Sequence, residues 1–243
     1  MAAAPAIALE VGAPTTGSGE AETHDAPRED PFGLDPGLRR RVLPAARLLH
    51  DRYWRIEATG IRHVPTSGPA LLVANHSGAI PFDGAMIVTA VELRRQRMLR
   101  FLYDRFVENL APVASFYDKM GGTVATRENA VALLKAGELL LVFPEGVPGV
   151  AKSFSDRYRL RSFSPGFARL ALALDVPIVP VAVVGAEEIY PVVGRAEGVG
   201  RFLGVPYVPV TPFFPLHEAM RVRRTIQEMV VRLKRRRRSV FFG

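Results

Sequence analysis

The sequence predicts an α/β fold: a single domain with a mostly parallel central sheet flanked by helices. Three observations carry that expectation. Short apolar runs alternate with stretches of helical period from residue 70 to residue 185. Two of those runs, ALLVAN at 70–75 and ELLLVFPEG at 138–146, are apolar at successive positions, as strands covered on both faces are. Gly, Pro or a polar turn separates each strand-like run from the helix after it, which is the punctuation of βα units.

The elements follow in chain order. Residues 1–36 are rich in Ala, Pro, Gly, Thr and acids without a sustained period, so a disordered tail is expected there. Glu10 interrupts its one short apolar run and no basic region precedes it, so no secretory signal is expected. An amphipathic helix is predicted over Arg39–His50 and a short strand over Tyr53–Ala58. The turn VPTSGP then leads into the buried strand ALLVAN. From Asp83 the period is helical through Ala85, Met86, Val88 and Thr89 to Glu92, after a start set by proline. Next come MLRFLYD as a strand, FVENLAPVASFYDKM as a broken helix, GGTVAT as a strand opened by glycines, and RENAVALLKAG as a helix closed by Gly137. ELLLVFPEG is a strand, SPGFARLALALD a helix and VPIVPVAVVG a further strand.

Beyond residue 202 the run FLGVPYVPVTPFFPL carries four prolines and cannot be an uninterrupted helix. No window supplies the roughly twenty apolar residues that a spanning helix needs. In HEAMRVRRTIQEMVVRLKRRRR, residues Val222, Ile226, Met229, Val230 and Leu233 share one helical face with Arg and Lys on the others, which predicts a basic amphipathic helix over 217–243.

Composition excludes some chemistry and leaves some open. The 243 residues, 48% hydrophobic, are enough for a sizeable core. There is no cysteine, which rules out disulfides, thiolate metal sites and a Cys nucleophile. A net charge of +8 favours anionic partners: nucleic acid, an anionic membrane surface, or a phosphorylated or thioester-carrier substrate. The run Lys234–Arg238 has no interleaved aromatic residues, so nucleic acid is not expected, whereas its apolar helical face suits an anionic membrane surface. A helix packed on the domain with a solvated basic end reads from the same residues.

In open α/β sheets reactive side chains gather beyond the carboxyl ends of the strands, and Asn75-His76 stands directly after one. An imidazole takes a proton from an alcohol near neutral pH, and a carboxylate on its other nitrogen fixes the tautomer and steadies the imidazolium. His76 and Asp83 supply those parts; a polar turn with Asp83 capping the next helix uses the same residues. At a second strand end, VFPEG, Glu145 is placed to bond a substrate, to brace the loop bearing His76, or to cap a turn. In GGTVATR, Arg127 offers a planar fork suited to phosphate or carboxylate, and equally a solvated side chain opening a helix. Ser77 lies in no G-x-S-x-G elbow, so a hydrolase triad is not expected.

Together these segments resemble the lysophospholipid and glycerolipid acyltransferase superfamily over about Tyr53 to Pro215. Asn75-His76 with Asp83 is similar to its His-Asp motif, Gly121 to Arg127 to its Gly-to-Arg motif, Phe143-Pro144-Glu145-Gly146 to its FPEG motif, and VPIVPV to its proline-containing strand, all in family order. GFARLALALDVPIVPVAVVGAEE and the PFD after His76 look most like the monoacylglycerol and diacylglycerol acyltransferase-like branch. Three features depart from the family: the His76–Asp83 loop is long, Val147-Pro148-Gly149 replaces Thr-Arg-Ser after FPEG, and the passage after Pro215 is short.

The resemblance implies an acyltransferase domain over 37–216 that moves a fatty acyl group from acyl-CoA or acyl-carrier protein to a lipid hydroxyl. His76 would be the general base and Asp83 its orienting carboxylate. Asn75, Arg127, Glu145, Gly146 and Lys152 are the substrate-binding candidates, with backbone N–H groups near Gly146 at the oxyanion. No cofactor or metal is implied, and the place of action is the cytoplasmic face of a membrane, held peripherally. A non-catalytic lipid-binding relative is the alternative that the altered FPEG continuation keeps open.

Overall fold

The two runs that are apolar on both faces lie side by side in the middle of a sheet. They are β3 (Ala70–Ala74) and β6 (Leu139–Val142), paired parallel with Leu72 opposite Leu141. The structure is a computed structural model that describes residues 8–15, 30–76, 82–152, 156, 158–186, 194–202, 206 and 208–210. Around the central pair the strands β1 (Ala8–Val11), β2 (Glu57–Thr59), β4 (Leu99–Tyr103), β5 (Gly122–Val124) and β7 (Ile178–Val184) complete seven, in the order β2-β1-β7-β3-β6-β4-β5. From β7 to β5 every pairing is parallel; β1 runs antiparallel to β7 and parallel to β2. This is the mostly parallel α/β sheet that the alternation predicts.

Two cores result. On one face Leu72, Leu139, Leu141 and Val179 meet Met86, Ile87, Ala90 and Val91 of α2 (Phe82–Arg95). On the other, Leu71, Val73, Leu140 and Val142 meet Ala130, Leu133 and Leu134 of α4 (Arg127–Lys135) and Leu170 and Ala171 of α6 (Gly166–Leu174). Full burial of each large aliphatic side chain contributes about 1.5–3 kcal/mol, so the centre of the sheet is the most resistant part of the fold. The remaining helices are α1 (Pro36–Leu48), α3 (Ala111–Lys119), α5 (Val147–Val150) and α7 (Glu197–Phe202).

The tail expected over 1–36 is corrected where it is described. Ala8–Val11 is a strand inserted between β2 and β7, with Leu9 and Val11 buried and Ala8 and Glu10 exposed. Glu10 therefore does not interrupt an apolar run; it occupies the outward half of a two-residue period. Gly60, at φ +68°, makes room for this strand, since a Cβ there would stand 1.9 Å from the Val11 carbonyl oxygen. Further along, Asp30 pairs with Arg100, and Asp35 accepts the Leu38 N–H at 2.9 Å to cap α1, whose first residue is Pro36. Residues 1–7 and 16–29 lie outside the described residues.

The strand expected at Tyr53–Ala58 is also corrected. Leu49–Tyr53 is a π-helical turn, closed by the Trp54 N–H on the Leu49 carbonyl at 2.8 Å, and the strand starts at Glu57. Burial of Trp54 against Phe82, ring centroids 5.0 Å apart, outweighs the strand preference of Tyr53-Trp54. The broken helix separates into a 3₁₀ turn at Arg105–Asn109 and α3. A small antiparallel pair, β8 (Gly194–Ala196) with β9 (Val208–Val210), was not foreseen. The C-terminal helix expected over 217–243 lies outside the described residues, and among those described no helix is long and apolar enough to cross a membrane.

Candidate active site

β3 ends at Ala74, and Asn75 fixes the direction in which the chain leaves it. Its side-chain amide donates to the Val183 carbonyl at 3.0 Å and accepts the Val183 N–H at 2.7 Å, clamping the exit to β7. Asn75 thus spends its polar atoms on the sheet. The next residue, His76, is delivered to the carboxyl end of the sheet, where Asp83 waits in the first turn of α2. Asp83 Oδ2 lies 2.7 Å from His76 Nδ1, and its Oδ1 accepts the Gly84 N–H at 2.8 Å.

Asp83 is fully buried, and the His76 side chain is 12% exposed. A carboxylate facing Nδ1 makes that nitrogen the donor and assigns the lone pair to Nε2, so the tautomer follows from the hydrogen bond. The imidazole also lies nearly flat on the Phe143 ring, with centroids 4.1 Å apart and planes 20° apart. Gly84 lies beside this ring: a Cβ there would be in van der Waals contact with Phe143 at 3.4 Å. From α3, Tyr117 comes close enough to feel the dyad: burial first, and then the Asp83 carboxylate, push its phenol above the ordinary value.

The FPEG turn supplies the second wall. Glu145 Oε1 accepts the backbone N–H of His76 at 3.0 Å, and Oε2 accepts that of Arg161 at 2.8 Å. Lys152 Nζ is 3.2 Å from the same Oε2, with both side chains almost wholly buried. Glu145 is therefore a brace across the site, and Lys152 is its counter-ion. Gly146 adopts φ +58° and gives its N–H to the Phe143 carbonyl at 3.0 Å, so that donor closes the turn and does not face an oxyanion.

Arg127 takes the second of the two places its sequence context offers, opening a helix as an exposed side chain. It is the first residue of α4, behind the Thr126 cap that accepts the Asn129 N–H at 3.1 Å, and it is exposed. No hydrogen bond or ion pair joins it to the other candidates among the described residues. The structure thus brings together His76, Asp83, Asn75, Glu145, Gly146 and Lys152 and leaves Arg127 at the rim. Sequence reasoning named no part for Phe143, Arg161 or Tyr117. The FPEG motif contains the first, while the other two carry no local signal.

A buried carboxylate on one imidazole nitrogen, with no partner on the other among the described residues, is the equipment for proton abstraction from a hydroxyl. Residues 55–184 match the acyltransferase family. The chain belongs to this family. It is 40% identical over 256 residues to an uncharacterized protein of Mycobacterium leprae, covering 88% of this chain and 70% of that one. An uncharacterized protein of Mycobacterium tuberculosis is 36% identical over 256 residues, 88% of this chain and 72% of its own length. A human protein named DGAT1/2-independent enzyme synthesizing storage lipids is 28% identical over 172 residues, 69% of this chain and 52% of the human one. No solved structure matches. The acyltransferase match spans β2 to β7 and contains His76, Asp83, Arg127, Glu145 and Lys152; β1, which widens the sheet, lies before it.

Proposed function

We propose that this acyltransferase moves a fatty acyl group from acyl-CoA or an acyl-carrier protein to the hydroxyl of a neutral glycerolipid or long-chain alcohol. The observation that carries the reading is the 2.7 Å contact between His76 Nδ1 and the buried Asp83, which orients Nε2 as the base. Nε2 takes the acceptor's hydroxyl proton as the oxygen attacks the thioester carbon. The C–S bond then breaks, and the leaving sulfur receives the proton from the imidazolium, so no acyl-enzyme is needed.

The choice of a neutral acceptor rests on where the cations are. Pro148 stands where the motif that FPEG resembles continues with Arg, and it has neither charge nor N–H. Lys152, the nearest substitute in sequence, is engaged by Glu145 inside the protein. Losing one charge-assisted contact to a phosphate would cost about 1.5–3 kcal/mol, which is tenfold or more in preference. The name of the human relative, a storage-lipid enzyme, agrees with a neutral product. The enzyme works at the cytoplasmic face of an anionic membrane, to which the basic, amphipathic segment 217–243 attracts it at roughly 1 kcal/mol per basic residue.

The test is turnover of labelled acyl-CoA against monoacylglycerol, diacylglycerol, long-chain alcohol, lysophospholipid and lysophosphatidate, presented in neutral and anionic vesicles. Expected are kcat/KM values about tenfold higher for a neutral acceptor than for lysophosphatidate, and higher rates on anionic vesicles. A clear preference for lysophosphatidate would overturn the acceptor assignment, and indifference to vesicle charge would overturn the membrane assignment.

A further inference from the structure

Beyond the His76–Asp83 pair, the most constrained group of charged residues at this end of the sheet is Glu145 with Lys152. The Glu145 side chain is fully buried and that of Lys152 is 1% exposed. A carboxylate persists in such a place only where its charge is balanced and its lone pairs are bonded. Both conditions are met. Lys152 supplies the charge at 3.2 Å, and the N–H groups of His76 and Arg161 fill the two oxygens.

The geometry also requires that the residue between these groups have no side chain. A Cβ at Gly149 would lie 2.7 Å from the Glu145 Cβ and 2.9 Å from the His76 Cβ, closer than such atoms approach. Gly149 therefore lets α5 press the brace directly against the residue that carries the imidazole. The other charged groups nearby point elsewhere: Asp83 holds the far side of the imidazole, and the Arg161 guanidinium pairs with Asp156 at 2.8 Å near the surface.

We infer that Lys152 is a positioning residue, acting through Glu145 to hold the His76 backbone where its ring can meet both Asp83 and the acceptor hydroxyl. This rests on the acyl-transfer reading above and deepens it. Removing the ammonium while leaving the carboxylate would strand a buried anion, which relaxes by loosening its hold on one of the two N–H groups. A misplacement on the order of 1 Å at the base lowers the rate about 10²-fold without changing how substrates bind.

The experiment compares the full chain with Lys152→Met, Lys152→Arg and Glu145→Gln, by steady-state kinetics and by the His76 amide resonance of ¹⁵N-labelled protein. Expected for Lys152→Met is a kcat about 10²-fold lower, KM for donor and acceptor within about twofold, and a displaced His76 amide. Lys152→Arg, which keeps the charge, should restore most of both readouts. If Lys152→Met does not fold, the double variant Glu145→Gln/Lys152→Met strands no charge, but its amide offers one acceptor oxygen where two N–H groups arrive, so one of them is released and a fall in kcat with a displaced His76 amide is again expected. Wild-type kcat with an unmoved His76 amide in a folded variant overturns the inference. So does a rise confined to one substrate's KM, which would make Lys152 a binding residue. Absence of turnover by the wild-type chain on every acceptor would count against the acyl-transfer reading instead, and the His76 amide would still decide whether Lys152 positions that residue.

Discussion

The two ends of the central sheet both bury charge, and they use it for different purposes. At the amino ends of the strands, Arg39 bonds the Glu92 carboxylate at 2.8 Å and the Met120 carbonyl, and Arg100 pairs with Asp30 beneath the Phe32 ring. Arg97 gives its donors to the carbonyls of Pro65, Gly68 and Gly137. These guanidiniums tie helix to helix, a strand to the N-terminal segment, and loop to loop. At the carboxyl ends, Glu145 and Lys152 do the same for the turn around His76, but the imidazole itself keeps Nε2 without a partner among the described residues. Paired charge makes a frame; one held but uncommitted nitrogen is what the proposed base requires.

That contrast predicts different consequences of mutation at the two ends. Asp83→Asn should lower kcat on the order of 10³-fold, because the amide no longer forces the proton onto Nδ1, while thermal stability changes little. The measurement is kcat beside the unfolding midpoint, and a large loss of stability with kcat retained would erase the distinction between the ends. Asp30→Ala should act in reverse. It strands the fully buried Arg100 and should cost about 3 kcal/mol of stability, read by urea unfolding, with kcat per folded molecule unchanged.

A smaller effect should appear in acid. Burial would raise the Asp30 carboxyl, but the Arg100 side chain and the Phe32 N–H outweigh it, so it sits below its ordinary value; the Leu38 N–H, outweighing a lesser effect of burial, does the same for Asp35. Both groups are depressed in the folded state, so their stabilisation is present above the usual carboxylate range and is lost as pH falls through the folded values, below about pH 4. Glu138, pushed up mainly by burial, has the opposite sign and favours the folded form as pH falls. Asp30→Asn should therefore flatten the fall in unfolding free energy between about pH 5 and pH 2. An unchanged slope would remove Asp30 from the acid response.

Much of this arrangement was legible in the sequence because it depends on local pattern. Continuous apolar runs at 70–74 and 139–142 give buried parallel strands, and a strand end followed by His, with Asp at the start of the next helix, gives the dyad. What was not legible depends on distant partners. Four residues of strand at Ala8–Val11 exist because β7, some 170 residues later, offers an edge, and the tail's composition hides them. Glu145 could be read as a brace, a ligand or a cap, and only the approach of the His76 and Arg161 N–H groups decides among these. Lys152 looks like a surface lysine by type. Its burial is tolerated only because Glu145 is already there.

The measurement that bears most directly on the central assignment is the single-turnover rate of His76→Ala with labelled acyl-CoA and a neutral acceptor, on protein whose folding is checked by circular dichroism. A folded variant slower than wild type by on the order of 10²–10⁴-fold is the predicted result, since that is what removing a general base costs. A folded His76→Ala that transfers acyl groups at the wild-type rate would contradict the assignment of His76 as the base.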